Sequence, residues 1–479
     1  MPAAALEIAE FTSTLRYEDV PPAVIDAAAL HLLDTIGCGL AAHALGVATE
    51  GRTAMAEMGG RPEATVIGVD EALPAANAAL ANAMLCHGLD FDDTHSGALS
   101  HVTTVTGPAA LAAGEACGAT GRDVLTAIVA ANEVVTRIGM AVSGRFHARG
   151  FHPTAVCGVF GAAAAAARLA GLDAERTARA LGLAGSMASG LFAYLEEGTA
   201  TKPLHPGWAA HGGLVAARLA ALGAEGPTSV LEGRFGLFHA YVGAEPGTVD
   251  IAEGVADLGS RWETLRIAYK PFPVCHYMHG SLGAAAEATG GRTFLAEEIA
   301  DVLVTIPPAG VSLVLEPAAL KVAPRTEYEG KFSLQYCTAS MLVRGHAGVA
   351  DFSAEAIGER AVLEVAGKVR HATREYTSYP ESFPGAVRVT LADGSVLEGD
   401  HAHQQGGPEN PWSADDVRAK FRANAALAVA PAAAETLEQS LLALAAHDDV
   451  RDVSSLLRLG GERQAPGTAG APTTGGLDE

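Results

Sequence analysis

Ile299-Ala300-Asp301-Val302-Leu303-Val304-Thr305-Ile306 is the stretch that decides the architecture. It is short, rich in β-branched residues and set in a chain that otherwise reads as helix, so it is expected to be a strand. A second β signal lies at Ala386 to His401, where Val387, Val389 and Leu391 alternate and Asp393-Gly394 supplies a hairpin turn. Upstream, from about residue 4 to 235, apolar segments recur at helical spacing. Helices are expected at Val24 to Ala41, Pro74 to Leu85, Val102 to Cys117, Val124 to Ser143, Pro153 to Ala170, Ala174 to Leu191 and Gly207 to Leu222. Further helices are expected at Ser281 to Ala288 and at Lys331 to Val343, between the two β signals. After Pro408-Glu409-Asn410-Pro411 the helical pattern returns at Ser413 to Ala426 and Ala432 to Ala446. The expected fold is therefore mainly α. A large all-helical domain is built from both chain ends (1–264 and 403–459), and a smaller α+β domain (265–402) is inserted in it. The tail, 460–479, is rich in Gly, Pro, Thr and Ala and is expected to be disordered.

A chain of 479 residues exceeds one ordinary core. Its 49% hydrophobic and 18% charged residues fit a well-packed globular protein. Runs such as Gly161 followed by Ala162 to Ala167 favour helix and let helices approach closely. Acidic residues outnumber basic ones, 55 to 32, giving a net charge of -23. That argues against a nucleic-acid partner or an anionic membrane. An anionic small molecule stays possible, provided that a local pocket of Lys, Arg or His receives it. Cys38, Cys86, Cys117, Cys157, Cys275 and Cys337 form no CxxC pair, so no metal centre is expected on them and a reducing, cytoplasmic setting is. No purely apolar run reaches about eighteen residues, so no membrane span is expected. The N-terminus carries Glu7 and no basic leader, so no signal peptide is expected either.

The chemistry concentrates in Cys86 to His101, CHGLDFDDTHSGALSH. Three carboxylates (Asp90, Asp92, Asp93) and three imidazoles (His87, His95, His101) share this stretch. If the preceding helix runs on through Thr94, then His87, Asp90, Asp93 and Thr94 lie on one face. Acid, base and hydroxyl groups on one face suit proton transfer. The plainer alternative is a solvated helix end. Four other constellations join it. In Gly150-Phe151-His152-Pro153-Thr154, Pro153 suits a first helical position, which puts His152 at the N-cap, where the dipole favours its neutral form. In Thr199 to Gly207, Lys202 and His205 precede a helix and could meet an anion. In Tyr269 to Gly280, Pro271 and Pro273 stiffen the backbone between Lys270 and the imidazoles His276 and His279. In Lys331 to Tyr336, Phe332 and Tyr336 are spaced i, i+4 and read equally well as core.

Taken in order, these segments resemble the MmgE/PrpD family, which includes 2-methylcitrate dehydratase, cis-aconitate decarboxylase and iminodisuccinate epimerase. The resemblance runs from Leu33-Asp34-Thr35-Ile36-Gly37-Cys38 to Asn410-Pro411-Trp412-Ser413. It implies a helical domain from both chain ends, a smaller α+β lid, a homodimer, and catalysis with no metal or organic cofactor. It further implies that Asp90, Thr94, His152, Lys202, Lys270 and Tyr336 line the active cleft, with His101 as the match for a histidine after the Asp-Asp-Thr triplet. In the decarboxylase pattern that histidine stands one residue earlier. The same pattern has a further histidine at the position of Cys275, and here His276 stands next to it.

On this resemblance, His152, His101, Asp90, Lys270 and Tyr336 are the expected catalytic residues. Thr94, Lys202, Lys270, Cys275, His276 and His279 are the expected substrate contacts. The expected substrate is a small di- or tricarboxylate, and a proton moves at a carbon beside a carboxylate. A hydro-lyase is preferred, with an epimerase or a decarboxylase as the alternative. Two distant readings complete the set. Phe91-Asp92-Asp93-Thr94-His95 resembles the magnesium motif of terpene synthases, and a non-catalytic binding protein could keep the fold.

Overall fold

The structure is a computed structural model and describes residues 3–245 and 247–459. The tail expected to be disordered, 460–479, lies outside the described residues. The described chain is mainly helical, with 56% helix against 9% strand. Helices at Pro22–Ala44, Ala75–His87, Thr103–Cys117, Gly121–Met140, Pro153–Leu169 and Leu204–Ala221 follow the expected segments to within a few residues. One differs at its end: the helix from Ala174 stops at Gly185, not Leu191. Its C-cap Ser186 is followed by an irregular stretch that carries Phe192 to the site.

Small residues set the spacing of these helices. A Cβ on Gly213 would sit 2.4 Å from that of Ala162, and one on Gly161 would sit 2.4 Å from Val135 Cγ2. The Pro153 helix is thereby packed closely between the Gly121 and Leu204 helices. One apolar core gathers these helices. A second joins Leu32, Leu33 and Leu40 of the Pro22 helix to Phe421, Leu437 and Leu457 near the other end of the chain. The Pro22 helix is long and apolar enough to cross a membrane, yet most of it is buried inside the protein, with His31 and Asp34 among its buried residues.

A third core belongs to the sheet-bearing part. Its four strands lie in the order Val369–Thr373, Ile299–Ile306, Gly385–Leu391, Val396–His401. Ile299–Ile306 pairs parallel with the first and antiparallel with Gly385–Leu391, so the sheet is mixed. Val302, Val304 and Ile306 alternate inward toward the His279–Thr289 helix, and the Leu334–Arg344 helix belongs to the same core. The single helix expected over Lys331 to Val343 is broken, because Ser333 turns extended and caps a new helix by accepting from the Tyr336 N–H. Leu99, from the Asp90 loop, is also a member of this third core.

Candidate active site

The Ala75 helix ends at His87, short of Thr94. Gly88 follows as its C-cap, and Asp90 takes a left-handed φ of 53°. That corrects the one-face arrangement expected for His87, Asp90, Asp93 and Thr94. The physical reason lies in the partners that the loop finds. An Asp tolerates the left-handed region, and each buried carboxylate in the loop finds its own partner off the helix. Asp93 Oδ1 accepts the N–H groups of Val102 and Thr103 and so caps the Thr103 helix from a distance. Asp92 lies 2.9 Å from His87 Nδ1 and 3.2 Å from His101 Nδ1. The chain then forms a two-residue antiparallel ladder, Thr94-His95 against Ile267-Ala268. That ladder brings Lys270, two residues beyond Ala268, to Asp90.

Asp90 is the electrostatic centre. Lys270 Nζ donates to its Oδ1 at 2.6 Å and to its carbonyl at 2.9 Å. Lys202 Nζ lies 2.9 Å from the same Oδ1. Burial opposes the charged carboxylate, but the Lys202 and Lys270 ammoniums beside it hold Asp90 well below the usual range. Burial lowers the Lys270 ammonium from its ordinary value, against the pull of Asp90. Lys202 Nζ also approaches His101 Nε2 at 3.5 Å. A lysine can only donate, so this ring presents a lone pair at Nε2 and its Nδ1 proton to Asp92. Burial, with the two lysines next, lowers His101 to about 4 despite Asp92. The result is a neutral imidazole oriented by a carboxylate, the arrangement of a general base.

His152 does stand at the N-cap of the Pro153–Leu169 helix. Its Nδ1 lies 3.0 Å from His205 Nδ1, so the two rings share one proton. Burial, then His205 and Lys202, push His152 well below its ordinary value. The neutral form expected from the helix dipole is thus explained mainly by burial. His205, expected to meet an anion, instead orients His152, and burial lowers it to about 4.

These groups open on a cavity of about 470 Å³. Thr94, His101, His152, Lys202, Lys270, Cys275 and His276 all line it. Asp90 sits beneath the two lysines. Burial raises the Cys275 thiol, so it is a neutral wall group. Two expected site residues lie elsewhere. Tyr336 is fully buried in the third core, and its hydroxyl donates to the carbonyl of Asp351 at 2.5 Å. His279 stands behind His276, 4.6 Å between ring centres, and its Nε2 lies 3.2 Å from the Val274 carbonyl. Their expected direct roles are withdrawn, because neither reaches the cavity. The reading of the sequence missed Asp92, which its place in the Asp-Asp-Thr triplet could have flagged. It also missed Phe192, Leu313 and Phe383, which carry no chemical signal. A larger depression, about 630 Å³, lies far from this chemistry and is lined by Glu297, Glu298, Glu359, Arg360 and Glu364. Its polar groups belong to the surface, so the smaller cavity is the candidate site.

Ligand atoms of His87, His101 and His152 lie within 4.8 Å of one another, close enough for a metal. The two lysines oppose that use: both ammoniums lie against Asp90 and Lys202 also reaches His101, which puts positive charge where a cation would sit. The terpene-synthase alternative fails as well. Asp92 and Asp93 are in a loop and face histidines and backbone N–H groups. Behind the site, Lys420 from the far end of the chain donates to the Phe91 carbonyl at 2.6 Å and pairs with Asp34 at 2.8 Å.

Comparison with known proteins gives a consistent answer. Residues 6–249 match the MmgE/PrpD N-terminal domain, and residues 272–445 match the MmgE/PrpD C-terminal domain. A cis-aconitate decarboxylase-like protein of Aspergillus oryzae is 28% identical, over 94% of this chain and 96% of its own length. The cis-aconitate decarboxylase of Homo sapiens is 31% identical, over 81% of this chain and 80% of its own. That of Aspergillus terreus is 28% identical over 95% of both chains. With both domains matched across most of its length, the chain belongs to the MmgE/PrpD family.

Proposed function

We propose that this protein is a lyase that acts on a small unsaturated carboxylate without a cofactor, and that it releases CO₂. The observation that carries the reading is the cluster of Asp90, Lys202, Lys270 and the Asp92-oriented His101 at the cavity. The lysines receive a substrate carboxylate. The C–C bond to a second carboxylate breaks, and its electron pair forms a new double bond. The old double bond's pair takes a proton at the carbon beside the retained carboxylate. His101 delivers that proton: the negative charge of the arriving substrate raises its proton affinity from the low value of the free site. Lys270 and Lys202 offset the charge that develops. The cis-aconitate decarboxylase names of the relatives support a carboxy-lyase over the hydro-lyase favoured by the motifs alone.

A second reading keeps a specific observation of its own. His101 and His152 are both neutral in the free site, which suits removal of a proton and loss of water, or return of the proton to the opposite face. One experiment separates these readings. Proton NMR of the EDTA-treated protein in D₂O is recorded with cis-aconitate, 2-methylcitrate and iminodisuccinate. Loss of CO₂ with deuterium at the carbon beside the retained carboxylate is expected. Water elimination or epimerisation without CO₂ would replace the first reading by the second. No exchange and no product with any of them would overturn both.

A further inference from the structure

Two unlike sets of groups line the cavity. Among the described residues, Lys202 and Lys270 are the only Lys or Arg side chains in its lining. Both already serve Asp90, and Asp92 lies just behind, so the fixed charges cancel. Of the three N–H groups on Lys270, two go to Asp90. Lys202 spends one on Asp90 and points another at His101. Each lysine therefore keeps one N–H for a ligand, enough to hold a single carboxylate between them. His276 adds a buried ring with no hydrogen-bond partner for either nitrogen, and Thr94 adds a hydroxyl. A second carboxylate can be met there. A third would be buried without a counter-charge, which is costly. Where the decarboxylase pattern has a histidine, this chain offers the neutral thiol of Cys275.

Much of the rest of the lining is apolar: Leu99, Leu195, Phe192, Leu313, Phe332 and Phe383. The three rings back the polar groups, Phe332 5.4 Å from Lys202 Nζ, Phe383 4.8 Å from the His276 ring and Phe192 5.6 Å from that of His152. Phe192, Leu195 and Leu313 are half-buried, so each has surface left to cover. A volume of about 470 Å³ falls in the range of about 300–1,000 Å³ that encloses drug-sized ligands and exceeds what a six-carbon acid fills.

We propose that the substrate is a dicarboxylate with an apolar arm of several carbons, one carboxylate between Lys202 and Lys270 and its arm against Phe192, Leu195 and Leu313. The proposal rests on the carboxylate-lyase reading and names the substrate class of that site. Covering the half-buried Phe192, Leu195 and Leu313 drives selection of the arm.

The test is calorimetric titration of the full chain with maleate and its 2-methyl, 2-butyl and 2-hexyl derivatives, with NMR turnover of the dicarboxylate glutaconate and its 3-hexyl derivative run alongside. Affinity is expected to rise about three- to fourfold per methylene through the butyl and hexyl members. The double change Phe192→Ser and Leu313→Ser should flatten that slope, and Phe192→Leu should keep it, with folding of both checked by circular dichroism. Affinity that is flat or falls with chain length, while glutaconate is turned over, overturns the apolar arm and leaves the lyase reading standing. A slope unchanged in the double variant also overturns the assignment of the arm to these residues. No binding by any probe and no turnover overturns both.

Discussion

The two walls of the cavity are built on different principles. The helical wall presents Asp90, Asp92, His101, His152 and Lys202, all buried, each paired with at least one other polar group. The sheet-side wall presents Cys275, Tyr277, Leu313, Tyr379 and Phe383, joined by ring contacts and one hydroxyl pair. The first is an ionic lattice in which no group can change charge without disturbing its neighbours. The second is an adaptable apolar surface, partly open. Most of the chemistry is fixed on the first side, with Lys270 reaching it from the second, and the second leaves more room for selection, so changes on the two sides should be felt in different measurements.

The largest effect should follow from breaking the ionic wall at its centre. Asp90→Asn keeps a residue that tolerates the left-handed backbone but removes the charge. Turnover should fall by about 10²–10⁴-fold with the fold intact by circular dichroism. A loss of less than tenfold would remove Asp90 from the machinery. Next comes the brace behind that wall. Lys420→Met leaves Asp34 buried without its partner and should cost about 3–5 kcal/mol in chemical denaturation. The pair Lys420→Met with Asp34→Leu should recover much of that loss, and no recovery would show that the pairing is not what stabilises.

A smaller effect is titration. His101 in the folded protein is lowered to about 4 from an ordinary 6.5. As pH falls below about 6.5 the unfolded chain takes up this proton and the folded one does not. Stability is therefore full above that pH, declines down to about 4, and gains no further slope from this group below it. The melting temperature followed from pH 7 to 4 should show the decline, and His101→Asn should lessen its slope. The smallest effect belongs to the sheet-side wall. Tyr379→Phe removes one hydroxyl contact, 3.1 Å from Tyr277, and should change substrate affinity by about tenfold or less with kcat nearly unchanged. A collapse of kcat there would erase the distinction between the walls.

Much of this was legible in the sequence, for reasons that differ by residue. His152 could be placed because Pro153 marks a first helical position. The strand Ile299–Ile306 could be placed to the residue, because β-branched runs rarely read otherwise. Asp90 was found as chemistry but misplaced as structure, since the helix was carried past Gly88, a C-cap residue with His87 in the last turn before it. Its loop is shaped by distant partners: the Ile267-Ala268 ladder, Lys270 and Lys420. Tyr336 read as a site residue and proved to be core, because spacing along a helix does not say which side faces the cavity. The apolar wall stayed invisible, because Phe192, Leu313 and Phe383 look like any other hydrophobic residue until the fold leaves them beside a cavity.

The hydrogen bond from Lys420 to the Phe91 carbonyl spans 329 positions of sequence. During synthesis, the loop that carries Asp90 therefore leaves the ribosome long before the residue that holds it. Until the last helices emerge, Asp34 has no cation and the loop has no floor. A chain that ends just before Lys420 holds every lining residue of the site but lacks both the donor to the Phe91 carbonyl and the cation beside Asp34.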